Sequence, residues 1–208
     1  MGRRYDAVMG LLESDVDADA LRQCQRWLED ADAAGLLQPR AMALATAAPG
    51  GEPSVRMVLL RGLDERGFVF FTNRESQKGT ELIANPRAAV CLYWDRLERQ
   101  LRANGPVEML GEEESAAYFA TRPPGSRLAA WASPQSQVVP DRSWLDARYA
   151  ETAERFPTED VPLPPFWGGY LLRPETIELW HNRPDRLHDR LRYSRLPDGS
   201  WLLQRLAP

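Results

Sequence analysis

The chain has 208 residues, 43% of them hydrophobic and 27% charged, with a formal net charge of −4, which is enough for a single domain with a real core. This acidic balance gives no electrostatic reason to bind nucleic acid or an anionic membrane, so any basic cluster needs a local explanation. Cys24 and Cys91 stand far apart and fit neither a disulfide framework nor a zinc site, and two histidines, His181 and His188, do not make a histidine-rich metal centre.

The first residues carry no apolar signal core and no run approaches the length of a membrane span, so a cytoplasmic protein is expected. Residues 1–16 have no clear period and read as an arm that orders only against something else. Across 17–34, Leu21, Cys24, Trp27, Leu28 and Ala31 recur at helical spacing, with Asp17 or Asp19 as a cap and Gly35 as the stop. Three strands follow, over 41–47, 54–61 and 68–72, punctuated by Pro49-Gly50-Gly51 and a turn before Gly67; their succession predicts a meander. Ser76 caps a short helix through Ile83, and strands over 87–94 and 98–110 flank a turn at Asp95-Arg96. Helices are expected over 112–121, through Trp131 and over 141–156, then a proline-rich connector over 157–165. The last strands fall near 169–173, 176–180, 190–195 and 201–206. Eight or nine short strands with inserted helices predict a mainly β fold, a barrel rather than a parallel α/β sheet.

No nucleophile elbow, Walker loop, dinucleotide fingerprint or HExxH motif is present. Three groups of residues carry possible chemistry. The first surrounds the hairpin over 56–78, where Arg56, Arg61, Thr72, Ser76 and Lys78 gather at strand ends. With Arg190 they suit a phosphate, while Gln100 and Gln135 suit the mixed edge of a heterocycle and Phe71 and Trp180 supply ring-sized walls. The second is Tyr118, Arg122 and Ser126, a guanidinium and two hydroxyls around a Pro-Pro-Gly turn. The third lies in Trp180-His181-Asn182-Arg183-Pro184-Asp185-Arg186-Leu187-His188-Asp189-Arg190, where strand alternation puts Arg186, His188 and Arg190 on one face. Each also has a purely structural explanation: Gln100 as a solvated strand residue, Trp180 as core, Arg56 in a surface ion pair, Arg122 as an exposed turn residue.

Arg56-Met57-Val58-Leu59-Leu60, Phe70-Phe71-Thr72-Asn73, Leu97-Glu98-Arg99-Gln100, Tyr118-Phe119 with Arg122-Pro123, Trp131 with Gln135-Ser136, Phe166-Trp167-Gly168-Gly169, Arg186-Leu187-His188-Asp189-Arg190 and the terminal Arg205-Leu206-Ala207-Pro208 together resemble the pyridoxine (pyridoxamine) 5′-phosphate oxidase family. The match runs in order from about Trp27 onward. It implies a single-domain, homodimeric split β-barrel with FMN at the subunit interface. By motif position, FMN contacts would be Arg56, Met57, Val58, Leu59, Leu60, Phe71, Thr72, Lys78, Gln100, Gln135, Ser136, Trp180 and Arg190. Contacts to a phosphorylated B6 vitamer would be Arg61, Tyr118, Arg122, Ser126, Arg186 and His188, the last two at the reacting carbon. The implied reaction passes a hydride from C4′ to flavin N5, and dioxygen is then reduced to hydrogen peroxide. Alternatives are a related FMN oxidase of another aromatic substrate, as in phenazine biosynthesis, and a non-catalytic flavin or pyridoxal-phosphate module. Three positions depart from the family: Arg61 for the usual Lys, Gln77 for a frequent Arg, and Asn182-Arg183 for a typical Gly-Gly.

Overall fold

The computed structural model describes residues 10–208; most of the expected N-terminal arm, residues 1–9, lies outside the described residues. Helix α1 (Ala20–Ala33) starts at Asp19, whose Oδ1 accepts the backbone N–H groups of Leu21 at 2.9 Å and Arg22 at 3.0 Å. These are donors that no helical carbonyl can reach. The strands are β1 (Ala41–Ala47), β2 (Pro53–Leu59), β3 (Gly62–Asp64), β4 (Gly67–Asn73), β5 (Arg87–Trp94), β6 (Arg99–Met109), β7 (Trp167–Leu172), β8 (Thr176–His181), β9 (Asp189–Arg195) and β10 (Trp201–Arg205). Between them lie α2 (Gln77–Ala84), α3 (Glu112–Ala120), α4 (Pro124–Ala132) and α5 (Arg142–Arg155).

Every strand pairing is antiparallel, in the order β10-β9-β8-β6-β5-β1-β2, with a branch through β7, β4 and β3. The long strand β6 is the fork. Its first half pairs with β8, while Val107, Glu108 and Met109 turn to β7. Because β2 runs on into β3, the path β1-β2/β3-β4-β7-β6-β5 curls back to β1 and forms a split barrel with inserted helices, as expected from the sequence.

The expected meander is not formed. Leu60 donates its N–H to Arg40 O at 2.8 Å on the β1 side, and Arg61 donates to Val69 O at 2.8 Å on the β4 side. Successive amides of an extended chain point to opposite edges, so one strand serves two partners in turn. β4 then leaves β2 behind and pairs with β7.

The barrel interior is filled by alternate residues of β1 and β5, including Met42, Leu44, Val90, Leu92 and Trp94, and by Phe68, Phe70, Leu101, Tyr170, Leu172, Ile177, Leu179 and Leu191. Helix α1 closes the barrel with Leu21, Trp27 and Leu28. Trp27 meets Trp94 edge-on at 6.3 Å, and the Trp94 indole N–H donates to Pro39 O at 2.7 Å. Residues 10–16 dock on the β9–β10 end. There Leu11 N–H donates to Asp189 at 3.0 Å, and Arg205 donates to Leu11 O and Glu13, both at 2.8 Å. No helix among the described residues is long and apolar enough to cross a membrane.

Trp27 is 3% exposed at the contact between helix and barrel. Trp27→Ala is expected to lower the unfolding free energy by about 3–5 kcal/mol, read as a fall in denaturant midpoint at unchanged slope.

Candidate active site

β2 and β4 are joined through the β3–β4 hairpin and then diverge. The wedge between them is a cavity of about 660 Å³, with Ser54 to Leu59 on one wall and Phe71, Thr72 and Asn73 on the other. Helices and loops complete it: Gln77 and Lys78 from α2, Tyr118 and Arg122 from α3 and the turn after it, Ala129 and Ala130 from α4, and Ser133, Gln135 and Ser136 from the following loop. Twelve of the expected site residues therefore meet in one place: Arg56, Met57, Val58, Leu59, Arg61, Phe71, Thr72, Lys78, Tyr118, Arg122, Gln135 and Ser136.

Lys78 sets the electrostatics of one end. Ser76 Oγ accepts the Gly79 N–H and caps α2, whose first turn carries Lys78 into the protein at 6% exposure. Its ammonium donates to Ser76 Oγ at 3.2 Å and to Thr72 Oγ1 and Gln135 Oε1, both at 3.3 Å. All three acceptors are neutral. Burial first, and then the charge of Arg56, lower its pKa to about 8, against a smaller opposing pull from Glu81. A buried ammonium with long bonds to neutral oxygens is a site for an anion.

Arg56 is differently placed. Its Nη1 donates to Leu44 O and Thr46 Oγ1, and its Nη2 to Ser54 Oγ and Glu81 Oε2. The ion pair that was its structural alternative is thus present, with Glu81 as the carboxylate.

The other end is aromatic and also cationic. Phe71 stacks on Tyr118 at 3.9 Å and on Trp167 at 5.4 Å. Gly169 makes this possible, since a Cβ there would lie 2.7 Å from the Phe71 ring. The Arg122 guanidinium lies 4.8 Å from the Trp167 ring, and its Nη1 is buried with no hydrogen-bond partner among the described residues. Burial and the nearby Arg61 charge lower the Arg122 pKa, with Tyr118 opposing. Arg61 stands over the Tyr118 ring at 5.9 Å. Two guanidiniums around one phenol, one of them with an orphaned donor, form a second place for an anion.

The remaining expected residues lie elsewhere. Leu60 is core, 1% exposed, with its N–H committed to Arg40 O. Ser126 sits in the first turn of α4 and is not among the cavity lining. Gln100, Trp180 and Arg190 form a cross-strand row over β6, β8 and β9. Arg190 there is neutralised by Glu178, with Nε to Oε1 3.0 Å and Nη2 to Oε2 3.1 Å. His188 packs on Trp180 at 4.7 Å, and its Nδ1 accepts the Arg183 N–H at 3.2 Å. Arg186 precedes the strand in a turn where Asp185 and Arg186 have φ of 58° and 63°. Strand alternation begins only at Asp189, so the expected shared face of Arg186, His188 and Arg190 is not a strand face. β2 is three to five strands from β6, β8 and β9, roughly 15–25 Å at about 4.8 Å per strand.

Sequence reasoning overlooked Glu81, Ser54 and Glu178. Glu81 had a signal: with Gln77 and Lys78 it shares a helix face at i+4 and i+3.

A split barrel whose wedge holds buried cations beside a stacked aromatic wall has the chemistry to receive a phosphorylated planar ligand. Residues 28–156 match the family described as pyridoxamine 5′-phosphate oxidase, and residues 167–208 match the pyridoxine 5′-phosphate oxidase C-terminal dimerisation region. The chain is 57% identical over 195 residues to a pyridoxine/pyridoxamine 5′-phosphate oxidase of Ralstonia pickettii, covering 94% of this chain and 92% of that one. Among solved structures, PhzG from Burkholderia lata in complex with tetrahydrophenazine-1-carboxylic acid superposes with a TM-score of 0.90 at 34% identity, covering 98% of this chain and all of that one. A pyridoxamine 5′-phosphate oxidase-related, FMN-binding protein from Nostoc punctiforme shares the fold, with a TM-score of 0.74 at 20% identity over 91% of this chain and 98% of that one. The chain belongs to the pyridoxamine 5′-phosphate oxidase family.

Lys78 is a base whose pKa is depressed in the fold, so between about 8 and its ordinary 10.5 the unfolded chain binds more protons than the folded one. Its burden on stability is therefore full below pH 8 and fades as pH rises through that window. Lys78→Met is expected to melt higher than the parent at pH 7 in phosphate-free buffer, by an amount worth about 1–3 kcal/mol. The gap should close by pH 10.5 in thermal melts at stepped pH.

Proposed function

We propose that this protein is an FMN-dependent oxidase that converts pyridoxamine 5′-phosphate or pyridoxine 5′-phosphate to pyridoxal 5′-phosphate, with dioxygen as acceptor and hydrogen peroxide as product. The single observation that carries the reading is the cavity with two cationic ends, the Lys78 end and the Arg61–Arg122 end, on either side of an aromatic wall. One ligand with one phosphate has no use for two such ends. A phosphorylated cofactor beside a phosphorylated substrate uses both.

The donor set fits FMN. Lys78, poorly satisfied by Thr72, Ser76 and Gln135, would hold the phosphate, and Arg56 contributes charge beside it. The edge strand β2 from Arg56 to Leu59 offers backbone groups along the cavity wall, and Gln135 and Ser136 close it from the loop. When bound, FMN supplies a two-electron acceptor that dioxygen can reoxidise. Tyr118, Arg122 and Arg61 would hold the substrate phosphate and so fix the distance of the reacting carbon from the flavin. Ser126, in the same turn, would join them on a small rearrangement of the α4 start.

Gln100, Trp180, Arg186, His188 and Arg190 are too far along the sheet to reach the same ligand in one copy. We assign them to the cavity of a second copy in a homodimer, a reading supported by the matched dimerisation region. The face that would be buried is continuous: cross-strand neighbours Met57, Ala43, Cys91, Arg102, Glu178 and Arg192 run from the cavity rim to β9. On that face Val55 and Met57 are 69% and 64% exposed. With Nδ1 of His188 committed as an acceptor, the neutral ring carries its proton on Nε2, the atom left to meet substrate.

The likeness to PhzG keeps a second reading in view, oxidation of a phenazine precursor. The Arg122 donor and its Tyr118 and Arg61 neighbours favour the phosphorylated substrate, because a carboxylic tricycle needs no second dianion site. Purified protein should be yellow and should release peroxide with pyridoxamine 5′-phosphate; FMN-loaded protein without turnover would sink the oxidase reading, and colourless protein that takes up no FMN would favour a non-flavin module.

Arg122→Ala should raise KM for pyridoxamine 5′-phosphate by about 10- to 100-fold and leave the weak turnover of unphosphorylated pyridoxamine unchanged. Equal losses on both substrates would place Arg122 outside the phosphate contact.

A further inference from the structure

Behind the Lys78 end of the cavity the partners of Arg56 form a network centred on Glu81. Thr46 and Ser54 face each other across β1 and β2, and Arg56 lies two residues along the same face as Ser54. From α2, the Glu81 carboxylate reaches down on them. Its Oε2 accepts from Thr46 Oγ1, from Ser54 Oγ at 2.6 Å and from Arg56 Nη2 at 3.3 Å, while Oε1 accepts from Gln77 Nε2 at 3.0 Å. The Glu81 side chain is 10% exposed and does not line the cavity, whereas Ser54, Arg56, Gln77 and Lys78 do. Burial pushes the Glu81 carboxyl up, but the hydroxyls, the Gln77 amide and the Arg56 charge more than offset this and hold it down at about 2.

The terminal donors of Arg56 are thus taken by Leu44 O, Thr46, Ser54 and Glu81, so that among the described residues only its Nε is left without an internal acceptor. Two cations, Arg56 and Lys78, share one interior anion. We propose that Glu81 is a positioning residue and resident counter-ion of the phosphate site: it holds Arg56 and balances the two cations while no phosphate is bound, and it opposes the phosphate once it arrives. The proposal rests on the reading of this end as the FMN phosphate site.

Glu81 stabilises the flavin-free protein more than the loaded one, so removing its charge must strengthen phosphate binding. The prediction runs against the usual loss on mutating a site. Glu81→Gln keeps the shape and the acceptor oxygen, and is expected to bind FMN about tenfold more tightly, with riboflavin affinity unchanged and a lower melting temperature for flavin-free protein. Riboflavin fills the same cavity without a phosphate, so the ratio of the two dissociation constants, from quenching of flavin fluorescence, isolates the phosphate end. A purely structural role would move both constants together. Glu81→Ala, an easy substitution in a helix, serves if the Gln variant does not fold. An unchanged ratio in a folded variant, or weaker FMN binding with riboflavin intact, overturns the role of Glu81. Parent protein that binds neither flavin overturns the cofactor reading instead.

Discussion

The change of partner between Leu60 and Arg61 is the constraint on which the rest of the site depends. A strand has two edges, and here one is used up to Leu60 and the other from Arg61. β2 and β4 therefore share a hairpin but not a ladder, and the space between them is the cavity. The cost of an unpaired strand edge is borne because that edge lines a binding site rather than a core. Lys78, Gln135 and Arg122, from three later parts of the chain, are useful only because the wedge is open to receive them.

Charge is handled in two opposite ways on the two faces of this sheet. On the outer face Arg190 and Arg102 both pair with Glu178, whose carboxyl burial would raise but whose two guanidinium partners lower. Both guanidiniums there have a carboxylate at hydrogen-bond distance. In the wedge, Lys78 has no carboxylate at hydrogen-bond distance and Arg122 has an orphaned Nη1. Burying a cation without its own anion is costly to the fold. The positions where the protein bears that cost coincide with the two ends expected to take phosphates, which ties the stability of the empty protein to its ligands.

What could be read from the sequence was what is local. β1 and β5 have the boundaries their alternation predicts, and Asp19 and Ser76 cap the helices that follow them. The members of the wedge were legible through family resemblance, but their convergence was not, since Thr72 and Gln135 meet across 63 residues of chain. The shared strand face expected of the third group is not formed, for a particular reason. Two successive non-glycine residues at positive φ, Asp185 and Arg186, break the extended chain just where alternation was extrapolated backwards. No composition signal announces that. The counter-ions Glu81 and Glu178 were legible only as partners: Glu81 shares a helix face with Gln77 and Lys78, and Glu178 stands across the sheet from Arg102 and Arg192.

A single copy holds the two cationic ends and the aromatic wall but keeps Trp180, His188 and Arg190 several strands away. Pairing within one copy puts β6, β8 and β9 three to five strands from β2. In the proposed dimer a second copy laid on the exposed face brings them to the cavity, and the features of that face fit such use. Its small residues Ala43, Ala45 and Ala89 allow close approach, Arg102 and Arg190 both pair with Glu178, and its apolar exposure is concentrated at Val55 and Met57 beside the cavity rim. Covering an edge of the wedge in this way would also exclude water from the Lys78 end, strengthening its hold on an anion. Assembly and ligand binding would then be two expressions of one requirement, that the buried positive charge in the wedge be matched.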